Sequence, residues 1–228
     1  LGISYYTFKI ISYLVDIYKG KIEAEKHFGC YALYVSFFPQ IMCGPIERAD
    51  HFIPQLKYGC KFEDKLAAEG LERIIIGLFK KLAIADRLAL YVGTVFDAPT
   101  AYPGLASIMA AAFYTVQIYC DFSGGIDIAR GAAQMLGINL PQNFERPYFS
   151  ESVAEYWRRW HITLGAWMRE YVFFPIMLSK PVTKISKFFR QKGKKQVAKL
   201  VPSVITPFIV FFLIGVWHGA SWKYVAFG

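Results

Sequence analysis

Two stretches of 23 residues carry no Asp, Glu, Lys or Arg: Ala98 to Cys120 and Leu200 to Trp222. About 20 apolar residues wound as α-helix cross the roughly 30 Å hydrocarbon core of a bilayer, so both windows reach spanning length. A third uncharged stretch, Phe28 to Ile46, has 19 residues but contains Pro39 and Gly44-Pro45, which predict a bent or re-entrant segment. Composition agrees. The chain is 55% apolar and 18% aromatic, above the usual apolar share of soluble domains, and its mean hydropathy is +0.30. The expectation is an all-α polytopic membrane protein and not a soluble domain with unusually buried helices.

The net charge of +9 has one main source. From Lys180 to Lys199 there are eight basic residues and no acidic one; the other positions hold 18 basic and 17 acidic residues. The run precedes a window of spanning length, so the positive-inside rule makes residues 180–199 a basic cytoplasmic loop, close to anionic headgroups. Membrane lipids are the expected partner. Nucleic acid is not, since no stacking motif accompanies the charge. Cys30, Cys43, Cys60 and Cys120 show no CxxC spacing, and His27 with Cys30 has no second ligand pair nearby, so neither a disulfide framework nor a metal site is expected. The apolar stretch after Leu1 has no charged region before it and does not read as a signal peptide. Both ends are expected to be cut from something longer, leaving one membrane domain over 1–228 that is incomplete at each end.

The helical pattern begins with a first membrane helix over Leu1 to Tyr18, and Glu47 to Phe62, with Pro54, reads as a loop. Leu66 to Phe96 holds Lys80-Lys81 and Asp86-Arg87 too centrally for a simple span, which predicts a helix pair or an interfacial helix. Leu105 to Cys120 reads as a spanning helix broken or kinked at Gly124-Gly125, followed by helix over Ile126 to Leu136 and an irregular stretch over Gly137 to Phe149. Ser152 and Glu155 have the spacing of a capping box. The helix they open puts Trp157, Trp160, Leu164, Trp167, Met168 and Tyr171 within an arc of about 100°, with Arg158, Arg159, Arg169, Glu155 and Glu170 opposite. His161 falls at the edge of the aromatic stripe. Such a helix suits the membrane interface.

No GxGxxG, P-loop, HExxH or GxSxG pattern is present. His218, in Val216-Trp217-His218-Gly219-Ala220, is the sharpest chemical candidate. It lies about 28 Å from Lys199 along a straight helix, beyond the bilayer midplane on the side away from the basic run. Ionisable groups inside spans are costly, and a functional role is the default reading. A neutral imidazole can accept a proton from a hydroxyl, and Gly215 and Gly219 would admit a close approach. Position and chemistry alone leave a structural, hydrogen-bonded histidine equally open. His161 reads first as a packed residue. Asp121, Asp127 and Arg130 read as helix-end charges able to pair with one another or to line a polar path.

Several blocks together resemble the membrane-bound O-acyltransferase family. Trp217-His218-Gly219 after an apolar helix looks like its signature. Tyr156-Trp157-Arg158-Arg159-Trp160-His161-Ile162-Thr163-Leu164 with Trp167-Met168-Arg169-Glu170-Tyr171 resembles the bacterial branch, which includes the alginate O-acetylation and teichoic-acid D-alanylation membrane subunits. Phe37-Phe38-Pro39-Gln40 with Gly44-Pro45-Ile46, Asp121-Phe122-Ser123-Gly124 with Asp127, and Asn143-Phe144 with Arg146-Pro147-Tyr148 are further matching blocks, in the expected order.

The resemblance implies a bundle of tilted transmembrane and interfacial helices around a central tunnel, in the multi-pass form of a bacterial inner membrane protein. It implies His218 and His161 as catalytic residues, His218 the general base and His161 orienting a reactant. Trp217, Asp121, Ser123, Asn143, Trp160 and Arg159 are the expected substrate-binding or tunnel-lining residues. No bound cofactor is implied. The cosubstrate is an acyl thioester, acetyl-CoA or an acyl carrier protein, and the partner an extracytoplasmic hydrolase-like acyltransferase. Transfer of an acyl group, acetyl first, to hydroxyls of an envelope polymer is the implied reaction. D-alanyl transfer to teichoic acid, or a non-catalytic transporter or scaffold, is the alternative. The chain departs from the family at Arg169-Glu170-Tyr171, where Arg-Asp-Tyr is common, and after Pro175, where alginate subunits usually have a Gly-Gly-Asn-Arg-type turn.

Overall fold

The computed structural model describes residues 3–41, 43–59, 63–219 and 221–228; Leu1, Cys60, Phe62 and Ala220 lie outside the described residues. Among the described residues there is no named strand, and backbone contacts divide the chain into two compact units, Leu1–Thr163 and Leu164–Gly228.

In the first unit, α1 (Ile3–Tyr18), α2 (Phe28–Ser36), α3 (Phe38–Ile41) and α4 (Ala49–Tyr58) lead into α5 (Asp64–Leu78). His27 caps α2, its Nδ1 accepting the Cys30 N–H at 3.3 Å, which is a structural use for the His-x-x-Cys pair. Helix α4 replaces the expected loop. Phe52 and Ile53, at helical spacing with the partly buried Leu56, pack with Tyr13, Tyr34 and Phe37 into an aromatic core. Burial of that face outweighs Pro54, which sits inside the helix.

The stretch expected to be a helix pair or an interfacial helix is one helical run. It passes from α5 through a π-helix (Phe79–Ala85) into α6 (Asp86–Asp97). The π segment answers the difficulty of the central charges. It presents Lys80 to Asp127 at 2.7 Å and Lys81 to Asp86 and Asp121 at 2.7 and 2.6 Å. Asp121, Asp127 and Arg130 therefore do not pair with one another; the lysine doublet takes both aspartates.

Helix α7 (Leu105–Met135) has 31 residues, about 46 Å at 1.5 Å per residue, and only 11% of its most apolar stretch is covered by protein. Leu105, Ile108, Tyr114, Val116 and Ile118 are exposed. A soluble core helix would have these covered; lipid is the solvent that accounts for them. Gly124-Gly125 does not break this helix. Gly124 lies against Gly77, and Gly131 against Gly70, so antiparallel α5 and α7 touch backbone to backbone. Small residues at a helix crossing permit that approach. Helix α7 ends in a Schellman turn: Gly137 has φ +75, and the Ile138 N–H donates to Ala133 O at 2.9 Å.

The predicted interfacial helix from Ser152 is broken. Ser152 does cap α8 (Val153–Arg159), Oγ accepting the Glu155 N–H at 3.2 Å, while the Glu155 carboxylate reaches back to the Glu151 N–H at 2.8 Å. The helix stops at Trp160, and His161 takes a left-handed φ of +45. The cause lies elsewhere in the chain. Residues 143–145 run beside 159–162, with Glu145 N–H donating to Arg159 O and Ile162 N–H to Asn143 O, both at 3.0 Å, and Phe144 bridging Trp160. The unit boundary then falls within α9 (Ile162–Met168).

The second unit continues through a π-helix (Arg169–Phe173), α10 (Phe174–Met177), α11 (Lys180–Gln191), α12 (Lys195–His218) and α13 (Trp222–Phe227). Most of the expected basic loop is helix α11, joined to α12 by a Schellman turn at Gly193, with Lys194 N–H donating to Phe189 O at 3.0 Å. Taking Lys180 as zero on a wheel, Val182, Ile185, Phe188 and Phe189 share one face and Lys180, Lys184, Lys187 and Arg190 the other. The loop reading failed because eight cations mask that stripe in a charge count. Helix α12 is long and apolar enough to cross a bilayer.

Candidate active site

The first unit holds a polar cavity of about 660 Å³. Its wall is built from α5, the π segment, α7 and the strand-like 142–146 segment. Of the expected site residues, Ser123, Asn143 and Arg159 line it. Tyr119 and Ile126 contribute apolar wall, and five cations (Arg73, Lys80, Arg130, Arg146, Arg159) outnumber two carboxylates, Asp127 and Glu145. The cavity spans Tyr119 to Arg130 of α7, roughly 21 to 37 Å from Leu105 along the helix axis. A span of roughly 30 Å counted from Leu105 would end near Gly125, within this stretch.

Asn143 organises one corner. It is fully buried. Its Oδ1 accepts the Thr163 N–H at 2.9 Å and the Thr163 hydroxyl at 2.8 Å, and faces His161 Nδ1 at 3.4 Å. Thr163 Oγ1 in turn accepts the Ile46 N–H at 3.0 Å, tying the Gly44-Pro45-Ile46 block to the histidine block. The Thr163 donors fix which end of the amide is oxygen. An oxygen at that position can only accept, so Nδ1 of His161 is the donor in that contact, and the ring's neutral form would carry its lone pair on Nε2. The imidazole is buried and meets the Phe122 ring edge to face at 4.7 Å. Left-handed backbone at a non-glycine costs about 1–2 kcal/mol; the bonds from 143 to 162 and 163 hold it there.

An aromatic shelf flanks this corner. Trp160 stacks on Tyr156 at 5.7 Å and meets Phe144 edge-on at 4.9 Å. Burial pushes the Tyr148 hydroxyl up to about 12. The Glu151 N–H, then Arg159 at 2.6 Å, hold the Glu155 carboxyl below its usual range and orient the guanidinium of Arg159. Trp160 itself lies outside the cavity lining, and so does Asp121, which is exposed and bound to Lys81. Ser123 Oγ is buried with no partner among the described residues.

His218 and Trp217 belong to the second unit. His218 is the last residue of α12 and is exposed, with its ring 4.8 Å from Trp217, 5.7 Å from Phe227 and 6.5 Å from Tyr224. Gly215 and Gly219 do admit a close approach, but what approaches is the chain's own α13: Gly215 meets the Tyr224 carbonyl and Gly219 the Tyr224 ring.

Sequence reasoning missed Arg73, Lys80, Tyr119, Arg146 and the hub residue Thr163. The lysine doublet inside an apolar stretch was a signal for Lys80. Arg146 and Thr163 stand inside the motif blocks, which give them no role; nothing local marks Arg73 or Tyr119, because the cavity is assembled from segments up to 86 positions apart, Arg73 and Arg159. One consequence is measurable. Asn143→Leu strands the Thr163 N–H and hydroxyl, each at about 1–3 kcal/mol. The expected result is a marked fall in the thermal unfolding midpoint; an unchanged midpoint would show that the corner bears no strain.

The family model described as MBOAT, membrane-bound O-acyltransferase family, matches residues 26–192. The whole chain aligns with the probable alginate O-acetylase AlgI of Pseudomonas aeruginosa at 36% identity, covering 40% of that protein. It aligns with the peptidoglycan O-acetyltransferase of Helicobacter pylori at 35%, covering 45%, and with the teichoic acid D-alanyltransferase of Bacillus subtilis at 30%, covering 56%. The chain thus spans about two fifths to just over half the length of these relatives.

Proposed function

Because this chain belongs to the membrane-bound O-acyltransferase family, we propose that it carries out acyl transfer at a bacterial inner membrane that it crosses several times. The acyl group, acetyl first, passes from a cytoplasmic thioester, acetyl-CoA or an acylated carrier protein, to hydroxyls of an extracytoplasmic polymer. A separate hydrolase-like acyltransferase outside the membrane is the proposed partner. The observation that carries this reading is the corner in which Asn143 and Thr163 hold His161 in a left-handed turn beside a cationic cavity at the end of a spanning helix. Such strain persists where a side chain must be aimed. D-alanyl transfer is the second reading, supported by the similarity to the Bacillus subtilis protein.

In the proposed reaction His218 takes the proton of the acceptor hydroxyl as its oxygen attacks the thioester carbonyl. The tetrahedral intermediate collapses, the C–S bond breaks, and the leaving thiolate takes the proton back from the imidazolium. His161, anchored through Nδ1, presents Nε2 to a reactant and orients it.

The test uses full-length protein in proteoliposomes with radiolabelled acyl thioester inside and acceptor outside. His161→Gly keeps the backbone turn and removes the imidazole. It is expected to lower transfer about 100-fold or more with an unchanged unfolding midpoint, while His161→Val loses both because a β-branched residue resists positive φ. Transfer by His161→Gly at the wild-type rate would remove His161 from the chemistry. Movement of intact substrate without acylation would identify a transporter.

A further inference from the structure

Three cavity guanidiniums are not matched by carboxylates. Lys80 pairs with Asp127 and Arg159 with Glu155. Arg73, Arg130 and Arg146 have no carboxylate within ion-pair distance among the described residues. Arg73 and Arg130 are instead steadied through Nε by neutral acceptors, Gln134 Oε1 at 3.3 Å and Leu140 O at 3.2 Å. Among the described residues, that leaves the Nη ends of both side chains without a hydrogen-bond acceptor. Both residues also line a second cavity of about 340 Å³, so they stand on the wall between the two. Arg146 reaches the first cavity from a residue with φ +46. Arg73 and Arg130 are half-buried and Arg146 is exposed; guanidiniums gathered on one cavity with their forks uncommitted attract an anion, and the planar fork matches phosphate oxygens two at a time.

We propose that Arg73, Arg130 and Arg146 form a cradle for a phosphate ester, separate from the Asn143–His161 corner but on the same cavity. The phosphate comes either from the thioester cosubstrate, whose pantetheine arm carries one, or from an anionic lipid headgroup. Only the first source rests on the acyl-transfer reading; the cradle itself rests on the unmatched guanidiniums.

The experiment uses full-length protein in phosphatidylcholine nanodiscs and reads the shift in unfolding midpoint with coenzyme A, with pantetheine, which lacks the phosphate, and with phosphatidylglycerol in the discs. Coenzyme A stabilising the protein where pantetheine does not supports the cosubstrate as source. Stabilisation by phosphatidylglycerol alone supports the lipid. In either case Arg73→Gln/Arg130→Gln is expected to weaken binding of the active probe about 100-fold, and Arg146→Gln about tenfold. Among the described residues the Arg146 side chain makes no hydrogen bond that its loss would break, so it guards against a folding artefact; Arg73→Lys/Arg130→Lys keeps charge and should retain part of the affinity. The cradle is overturned if neither probe shifts the midpoint, or if the variants bind as tightly as wild type. Acyl transfer is measured in parallel. Phosphate binding that depends on the arginines in a protein showing no transfer would sink the acyl-transfer reading and leave the cradle standing. Normal transfer with arginine-independent binding would do the reverse.

Discussion

Replacing His218 with alanine is expected to reduce acyl transfer by roughly 10²–10⁴-fold, the range typical of a lost general base, while the protein accumulates in membranes at wild-type levels. The second half of that expectation comes from the structure. His218 closes α12, is exposed, and has ring neighbours in Trp217, Tyr224 and Phe227 among the described residues. Packing of α13 onto α12 runs through Gly215 and Gly228, where the backbones meet, and not through the imidazole. Truncation should therefore leave the fold intact. The proton-transfer role makes a further demand: the pH dependence of kcat/KM in the wild type should carry a limb that disappears in His218→Ala. A variant that transfers acyl groups normally, or one that simply fails to accumulate, would each remove the general-base assignment, the first by showing the base is elsewhere and the second by showing the residue is structural.

The second large effect is on folding. At Gly124 an added Cβ would stand 2.7 Å from Gly77 O, and at Gly77 it would stand 2.6 Å from Gly124 O. Backbone atoms cannot give way as a flexible side chain does. Gly77→Ala and Gly124→Ala are each expected to cost about 1–3 kcal/mol, the usual range for overpacking. Together they should push α5 and α7 apart and abolish the folded protein in a size-exclusion assay from membranes. Gly93 in α6 is the control: nothing lies within 4 Å of its added Cβ, so Gly93→Ala should stabilise by about 0.5–1 kcal/mol. Equal outcomes at Gly93 and Gly124 would mean that the helices do not cross as described. Separating α5 from α7 also moves Arg73 away from Tyr119 and Arg130, so partial variants should lose ligand binding before they lose the fold.

Charge spacing made the long helices legible. Uncharged windows of spanning length can only be helix in lipid, and α7 and α12 lie where those windows do. The shorter elements depended on partners distant in the chain. A helical wheel through Trp157 and Tyr171 was internally consistent, yet residues 143–145 intervene and turn the chain at Trp160–His161. Pro54 suggested a loop because nothing local shows that Phe52 and Ile53 have Tyr34 and Phe37 to pack against. At Gly124-Gly125 the residues were rightly unusual, but the reason was a neighbouring backbone and not a break. For the site, the motif blocks named Asn143, His161, Ser123 and Arg159. Arg130 reads as able to line a polar path, and Arg146 and Thr163 stand inside those blocks without a role; Arg73 emerged only when the segments were assembled.

The π segment between α5 and α6 bears on which insertions and deletions this chain can accept. A π turn amounts to one residue more than an α-helix of the same length would hold. A version of the chain one residue shorter between Leu78 and Asp86 could revert to plain α-helix without breaking a single connection. The π turn is what absorbs the extra residue, so α5 and α6 would keep their phase and only the segment between them would change. Lys80 and Lys81 could no longer both serve Asp127 and Asp121 from adjacent positions, while α6 would present the same face to α7. The extra residue thus acts as a register mark. Related chains that keep both aspartates on α7 should keep the lysine doublet and the segment's length, and a chain that drops the residue should be found to have lost at least one of the two ion pairs with it.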